Sequence, residues 1–259
     1  MKRIQFMELE DQEWLPEGIR DAMTDYLQAA IRVGRAYNPI LPRLKNALDE
    51  NKSLQIVDLC SGGGGPWSTL LPELPAQVTV RLTDRYPNES AFRHLQTGTA
   101  QRIRMHPDPV DATAVPDELV GFRTLFSSFH HFTPGQAHSI LCDTVGKKQG
   151  IGIFEATHRS LPAVLIMLLT PLLVLLLTPS IRPFRLSRIL WTYLIPIVPL
   201  FVLFDGIVSC LRTYTPDELQ SMVSDLPPPA NDYHWEIGEE RPKKGVLPIT
   251  YLIGYPLAR

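Results

Sequence analysis

The sequence has 259 residues, of which 44% are hydrophobic, and its 25 basic and 27 acidic residues give a net charge of -2. This length is enough to bury one sizeable core, and the near-balanced charge excludes a broad cationic surface, so we predict no nucleic-acid partner. Three widely spaced cysteines, Cys60, Cys142 and Cys210, form no CxxC pair, so neither a disulfide framework nor a cysteine zinc site is encoded and a cytoplasmic setting is favoured.

The first fifty residues carry a helical pattern. Apolar residues recur at three- and four-residue steps from Ile19 to Ile31, which is the period of a helix, and the pattern breaks near Pro39 and Pro42. The run LQIVDLC, residues 54–60, then has the composition of a strand. Four glycines follow it, and a helix is predicted to begin near Pro66 because proline is tolerated in a first helical turn.

Strands and helices continue to alternate up to residue 158. The predicted elements are a second strand VTVRLTD (78–84), a third strand ending at Asp111, a fourth strand FRTLFSSF (122–129), a helix from Gln136 to Val145 and a fifth strand GIGIFEATH (150–158). Such alternation is typical of a parallel sheet with helices on both faces.

An apolar segment of about fifty residues, Ser160 to Arg212, interrupts this alternation. After it, TPDELQSMVSDL predicts a helix capped by Thr215, with Glu218 at the spacing of a capping box. Two final strands, YHWEIGEER and ITYLIGYPL, are joined by a connector (241–248) that is too short for a crossover helix, so they are predicted to be antiparallel. The expected fold is therefore a Rossmann-like, seven-stranded α/β sheet with an antiparallel last strand and an apolar helical insertion.

The four glycines and Asp84 form the first candidate binding site. A glycine turn after the first strand lets backbone N–H groups approach a ligand, and an acidic residue at the end of the next strand can accept hydrogen bonds from ribose hydroxyls. The dinucleotide fingerprint GxGxxG is incomplete because Trp67 occupies its last position, and no Gly-Lys-Ser/Thr follows to make a phosphate-binding loop. The alternative is a tight strand-to-helix turn without a ligand.

The sequence resembles the class I S-adenosylmethionine (SAM)-dependent methyltransferases. VDLCSGGGG, LTDRYPN, DATAVP, FSSFHHF and the terminal strand pair carry the resemblance, which covers approximately residues 54–158 and 215–259. It implies a SAM-binding domain formed by residues 51–159 and 213–259. Residues 1–50 would be an N-terminal helical cap, and residues 160–212 would be an insertion that contacts a membrane or covers the substrate.

The resemblance also implies roles for individual residues. Asp58 would anchor the glycine loop or hold the amino group of the cofactor, Asp84 would hold the ribose hydroxyls, and Asp111 with Ala112 would meet the adenine edge. Phe126 to Ser128 would lie under the reacting sulfonium. The complete set of expected cofactor-binding residues is Asp58, Cys60, Ser61, Gly62, Gly63, Gly64, Asp84, Arg85, Asp111, Ala112, Phe126, Ser127 and Ser128.

His130 and His131 are the candidates for a catalytic base. They follow the fourth strand at the edge where ligands collect in such sheets, and an ordinary histidine pKa suits proton removal at neutral pH. Glu155 and His158, after the fifth strand, are second choices. The alternative is that these side chains only hold the loop or are solvated. No set of His, Asp and Glu residues has metal-ligand spacing, so no metal site is predicted.

Three interpretations of the apolar insertion remain open. It can lie in one membrane leaflet with Arg182, Arg185 and Arg188 at the anionic lipid surface, it can pack as a cap or a homodimer interface, or it can span the bilayer. The uncharged run from Leu161 to Leu177 is short for spanning and contains Pro171. Because the N-terminus has no secretory signal, we expect a peripheral or monotopic protein at the inner membrane face.

The insertion follows the fifth strand and would lie above the edge where the acceptor binds, so an apolar acceptor is expected. The predicted function is methyl transfer from SAM to a small lipophilic acceptor at the membrane surface. Two alternatives remain, namely a non-catalytic, membrane-attached SAM-binding or scaffold protein and a nicotinamide-dependent reductase.

Overall fold

One mixed sheet of seven strands organises the computed structural model, which describes residues 1–98, 101–242 and 247–257. The strands are β1 (Gln55–Asp58), β2 (Thr79–Leu82), β3 (Ile103–Met105), β4 (Phe122–Phe126), β5 (Ile151–Glu155), β6 (Tyr233–Glu240) and β7 (Ile249–Pro256). They lie in the order β3-β2-β1-β4-β5-β7-β6. The first five strands are parallel, and β7 pairs antiparallel with both β5 and β6. The predicted fold class and the antiparallel terminal pair are confirmed.

Ten helices cover the sheet and form the insertion in the described part of the chain. They are α1 (Glu17–Gly34), α2 (Leu41–Glu50), α3 (Trp67–Leu70), α4 (Glu89–Gly98), α5 (Pro134–Gly146), α6 (Leu161–Met167), α7 (Thr170–Leu177), α8 (Leu186–Ile189), α9 (Ile197–Arg212) and α10 (Pro216–Ser224). The Thr215 side chain accepts from the Glu218 N–H, and the Glu218 carboxylate accepts from the Thr215 N–H. The predicted capping box at the start of α10 is therefore present.

Apolar residues on both faces of the sheet hold the helices against it. All five residues of β4 and all five of β5 are buried, as expected for strands that are covered on both sides. One core lies against α2, α3 and α4, and the other lies against α5 and α10. The register pairs Asp58 at the end of β1 with Leu82 on β2 and with Thr124 on β4. This alignment brings the loops that follow these three strands to one edge of the sheet.

The third strand differs from its prediction. β3 contains only three residues and ends at Met105, six positions before Asp111. Pro107 and Pro109 lie between them, and proline cannot donate a hydrogen bond to a strand ladder. Asp111 therefore lies on the loop after the strand. That loop still reaches the same edge, because the Val110 N–H donates to the Asp84 carbonyl at 2.9 Å.

The insertion is a helical hairpin that packs on α1. Val174 of α7 and Val198 and Val202 of α9 are buried in a third apolar cluster with residues of α1 such as Met23 and Tyr26. Its opposite side is exposed. Residues 161–180, which comprise α6, α7 and a short 3-10 turn, form the one helical stretch in the described residues that is by itself long and apolar enough to cross a membrane. Residues 186–194 and 197–212 would be a second such stretch only as a pair bent by 77°, and core helices of soluble proteins also meet this criterion.

Two of the connector arginines form ion pairs with α1. Arg188 is 2% exposed and forms an ion pair with Asp25 of α1, and Arg185 pairs with Asp21 at 2.7 Å. Only Arg182 of the three is exposed, and it donates to the carbonyls of Pro179 and Ile181. The interpretation with all three arginines at a lipid surface does not hold for Arg188, which is buried against Asp25, because sequence composition does not show which acidic helix a connector will face.

Candidate active site

The buried carboxylate of Asp58 joins the loops at the carboxyl edge of the sheet. Its Oδ1 accepts a hydrogen bond from Thr124 Oγ1 at 2.6 Å, and its Oδ2 accepts from Ser61 Oγ at 2.8 Å. Its backbone carbonyl also accepts from the Thr83 hydroxyl. Burial raises the pKa of Asp58 to about 6, although the hydroxyl donors favour the charged form. Asp58 therefore anchors the glycine loop, which is one of the two roles expected for it.

The four glycines form a bend, and three of them have backbone conformations that would be strained in a residue with a Cβ. Gly62, Gly64 and Gly65 have φ angles of +51°, +100° and +56°, in the left-handed region that favours glycine. The Gly64 N–H donates to the Ser61 carbonyl at 2.7 Å and closes the turn. We call residues 62–65 the glycine bend.

Asp84 lies directly beside the glycine bend. Its Oδ2 accepts from the Gly62 N–H at 2.7 Å, and its Oδ1 accepts from the Tyr86 N–H at 2.8 Å. The residue is partly exposed. Burial raises the pKa of its carboxyl, while these two N–H groups and His131 oppose the increase. The bend, Asp84 and the histidines therefore share one edge of the sheet.

Helix α1 packs directly on the glycine bend. A Cβ on Gly63 would lie 2.7 Å from the Thr24 carbonyl oxygen, and a Cβ on Gly64 would lie 1.9 Å from Leu95 Cδ1 of α4. That the backbone of the glycine bend approaches a ligand stays a prediction. In this conformation the missing side chains of Gly63 and Gly64 leave space for helices of the same chain.

The expected cofactor residues after β4 lie among aromatic rings. Phe126 is buried and contacts the rings of Tyr37, Trp67 and Phe154. Ser127 Oγ is 2.5 Å from the Tyr37 hydroxyl and accepts from the Ala156 N–H at 3.0 Å. Tyr37, in the turn after α1, thus contacts the residues that would lie under the cofactor.

The remaining expected cofactor residues have different environments. Ser128 Oγ is buried and has no hydrogen-bond partner among the described residues. Ala112 is buried in the apolar core, whereas Asp111 is exposed and accepts from the Thr113 hydroxyl. Arg85 is exposed and lies 3.8 Å from Glu13. Cys60 is partly exposed, and desolvation of its thiol raises the pKa of that group.

His130 and Glu155 form a buried pair beside these residues. His130 Nδ1 lies 2.5 Å from Glu155 Oε2, and Glu155 Oε1 accepts from the Phe129 N–H at 2.8 Å. Both side chains are 2% exposed. The carboxylate therefore fixes the ring orientation and favours a proton on Nδ1, which leaves the Nε2 lone pair of a neutral imidazole available.

Residues 3–11 lie over this pair. They place the carboxylates of Glu8 and Asp11 beside His130 and His131, a contact that the sequence analysis did not predict. Glu8 Oε1 lies 3.6 Å from His130 Nε2, and Glu8 Oε2 lies 3.3 Å from His131 Nδ1. His131 Nδ1 also pairs with Asp11 at 2.8 Å. The ligand atoms of Glu8, His130 and His131 all lie within 4.8 Å of one another. Glu8 is far from the histidines in sequence, so residue spacing could not reveal this group.

His131 is a cation at neutral pH in this conformation. Burial lowers its pKa, but Glu8 and Asp11 outweigh burial and raise the pKa to about 10. A protonated imidazole cannot accept a proton. His158, the second-choice residue after β5, has its Nε2 3.1 Å from Glu239 and lies away from this group. Of the predicted candidates, His130 therefore has the geometry of a base.

Two clefts open elsewhere on the described chain. One of about 550 Å³ is lined by residues of α2 and of the loops before β1 and β2, at the opposite edge of the sheet. The other, of about 370 Å³, lies between α1, α3, α4 and the connector of the insertion. Neither is lined by Gly62 or Asp84. In this conformation α1 packs on the glycine bend and residues 3–11 lie over His130 and His131, while Asp84 stays partly exposed.

No protein-family model and no curated protein matches the sequence. Solved structures do match. The pyocyanin biosynthetic protein PhzM is 15% identical (TM-score 0.52; 88% of this chain and 56% of that one). An O-methyltransferase family protein from Burkholderia thailandensis is 16% identical (TM-score 0.51; 91% and 60%). An O-methyltransferase from neocarzinostatin biosynthesis, solved with SAM and 2-hydroxy-5-methyl naphthoic acid, is 14% identical (TM-score 0.53; 93% and 59%).

At these identities the likeness shows the fold, which is that of class I SAM-dependent methyltransferases, as the sequence motifs implied. The chain spans between one half and two thirds of the length of these three proteins.

The raised pKa of Asp58 predicts a pH-dependent stability. The native carboxyl titrates near pH 6 and the unfolded one near its ordinary value of 3.8, so the native state binds more protons between these values. Stability should therefore fall as pH rises from about 4 to 6 and then stay level. The stability difference between wild type and Asp58→Asn, from urea unfolding, should change by up to about 3 kcal/mol over this range. A pH-independent difference would contradict the assignment.

Proposed function

We propose that this chain, which has the fold of class I SAM-dependent methyltransferases, transfers the methyl group of SAM to a hydroxyl group of a small lipophilic acceptor at a membrane surface. The observation that carries the proposal is the buried His130–Glu155 pair beside the glycine bend and Asp84. A proton-accepting group and a nucleoside-binding edge then lie together at the carboxyl end of one parallel sheet.

The residues at this edge fit the adenosine part of SAM. Asp84 is partly exposed and retains acceptor capacity for ribose hydroxyls beyond the two N–H groups it binds. Ser128 Oγ is a buried polar atom without a partner among the described residues, and such atoms bind ligands or water. Because α1 and residues 3–11 cover the edge, we infer that they move when the cofactor and acceptor bind.

The chemistry assigns a separate task to each residue of the pair. When bound, SAM supplies an electrophilic methyl group, and the S–CH₃ electron pair remains on the departing thioether sulfur. His130 Nε2 would accept the proton of the acceptor hydroxyl as its oxygen takes the methyl group. Glu155 holds Nδ1 and stabilises the resulting imidazolium. The chain must also align the acceptor with the methyl group and exclude water.

The acceptor class is inferred from the apolar outer face of the insertion. Leu165, Leu169, Leu172 and Leu176 repeat at helical spacing and are 54%, 57%, 55% and 64% exposed. Leu194 and Leu200 are also exposed, at 77% and 60%. A soluble monomer rarely exposes so continuous an apolar surface, which supports contact with an apolar partner.

Lipid is the partner that this surface fits best. The exposed leucines form one face of an amphipathic hairpin, and Arg182 at its connector is exposed to meet anionic headgroups. Spanning is disfavoured because the inner face of the hairpin packs on α1, which carries Asp21 and Asp25 and touches the glycine bend. Crossing the bilayer would draw these charged residues toward hydrocarbon.

Cofactor binding is tested by calorimetry with S-adenosylhomocysteine and, separately, NADH. We expect the wild-type protein to bind S-adenosylhomocysteine and Asp84→Asn to bind it at least ten-fold more weakly, since a hydrogen bond to a charged group contributes about 1.5–3 kcal/mol. Asp225→Asn, at an exposed aspartate that follows the C-terminal end of α10, is the matched control and should bind as wild type does. Binding of NADH but not of S-adenosylhomocysteine would instead support a reductase.

Catalysis is tested with labelled methyl donor and a total lipid extract, followed by mass analysis of the products. We expect His130→Gln to lower kcat about 10²- to 10⁴-fold, the usual contribution of a general base. Glu155→Gln should lower it by a smaller factor because it acts through the imidazole. His138→Gln on α5 is the control. If wild type binds S-adenosylhomocysteine but forms no methylated product, the chain is a binding or scaffold protein.

Membrane contact is tested by flotation with liposomes that contain anionic phospholipid. The wild-type chain should float, and the double variant Leu172→Glu/Leu176→Glu should remain in the dense fraction. Leu54→Glu/Val120→Glu is the matched control because both residues are 57% exposed and lie outside the insertion. If the wild-type chain stays in the dense fraction and sediments as a dimer that Leu172→Glu/Leu176→Glu dissociates, the apolar surface is a homodimer interface.

A further inference from the structure

Two buried polar atoms face each other at the point where residues 3–11 meet the loop after β4. Glu8 Oε1 and His130 Nε2 are 3.6 Å apart, and neither has a hydrogen-bond partner among the described residues. Glu8 is 1% exposed and His130 is 2% exposed, so bulk water does not solvate them. Leaving such groups unsatisfied costs free energy, and a cation between them would satisfy both.

A third ligand and the local charge favour a cation with two positive charges. His131 Nδ1 lies 3.3 Å from the other Glu8 oxygen, and Asp11 contacts the same nitrogen. Glu8, Asp11 and the carboxylate that holds His130 contribute three negative charges, against the single guanidinium of Arg212 that contacts Glu8 and Asp11. Counting His130 as neutral, this group has a net charge of about -1 while His131 carries its proton, and of about -2 once the ion has displaced that proton.

The kinds of ligand select the class of metal. Two imidazole nitrogens with one or two carboxylate oxygens suit a first-row divalent cation such as Zn²⁺, whereas Mg²⁺ and Ca²⁺ prefer all-oxygen sites. The Glu155 carboxylate accepts from Nδ1 of His130 and leaves Nε2 for the metal, which is the usual arrangement behind a metal-binding histidine.

We propose that Glu8, His130 and His131 bind one first-row divalent cation, with Asp11 as a further ligand, and that the ion fastens residues 3–11 over the candidate active site. The ion takes the position of the hydrogen that His131 shares with Asp11. The rest of the segment is already held in place, since Leu9 and Glu10 N–H groups donate to Asp205 and Arg3 donates to the Arg212 and Phe132 carbonyls.

The bound ion has a consequence for the active site. It occupies the Nε2 lone pair that His130 needs in order to accept a proton, so the metal-bound form is the closed and inactive one. Metal binding depends only on the geometry of these side chains. The metal proposal can therefore be tested independently of any methyltransferase activity.

The test uses the full chain, freed of metal with a chelator and then titrated with Zn²⁺ by calorimetry and with Co²⁺ by visible absorption. We expect one Zn²⁺ per chain and a Co²⁺ spectrum of nitrogen and oxygen ligation. Glu8→Gln and His131→Gln should each weaken Zn²⁺ binding at least ten-fold, the smallest loss that altered metal sites usually show. Zn²⁺ should also slow proteolysis within residues 1–15 of the wild type but not of Glu8→Gln.

Two matched controls separate this site from adventitious binding. Glu13→Gln changes an 82% exposed glutamate in the same segment, and His138→Gln changes a histidine on α5, so both should bind Zn²⁺ as wild type does. The proposal is overturned if wild type binds less than one Zn²⁺ per chain. It is also overturned if both Glu8→Gln and His131→Gln bind Zn²⁺ as tightly as wild type, because the metal then lies elsewhere, for example on a cysteine.

Discussion

The close packing of α1 on the glycine bend is the constraint on which the rest of the architecture depends. Because Gly63 has no side chain, the backbone of Thr24 approaches the bend at a distance that a Cβ would prevent. The same helix packs against Val174 and Val202 of the apolar hairpin on its other side. Helix α1 thus lies between the candidate active site and the proposed membrane surface, so a shift of α1 would change the packing at both.

Two ion pairs fix the orientation of the apolar hairpin on α1. Arg188 with Asp25 is almost fully buried, and Arg185 with Asp21 lies at the rim. A buried charge without its partner is strongly destabilising, so these pairs specify one orientation of an otherwise apolar contact. Arg188, which one interpretation of the sequence placed at lipid headgroups, is instead buried inside the protein, and Arg185 is only partly exposed. The proposed lipid contact would then depend mainly on the leucines of the outer face and on Arg182.

Local sequence patterns predicted most of the fold. The runs at β1, β2, β4 and β5 are short, apolar and bounded by turn residues, and the capping box at Thr215 is a signal within four residues. The prediction was wrong where distant parts of the chain decide the outcome. The three-residue β3 is defined by its neighbour rather than by its own composition, and α4 was not predicted because few apolar residues mark it. Glu8 reaches His130 only through the tertiary fold.

The position of β7 determines when this protein can finish folding. It inserts between β5 and β6 and pairs with both, yet it follows the whole apolar hairpin in the chain. During translation the leucine-rich helices therefore leave the ribosome while one edge of β5 is still unpaired. Domains assembled from such late, long-range pairings expose aggregation-prone surfaces as they are made. Early contact between the nascent hairpin and a lipid surface or a chaperone would shield those leucines until the sheet closes.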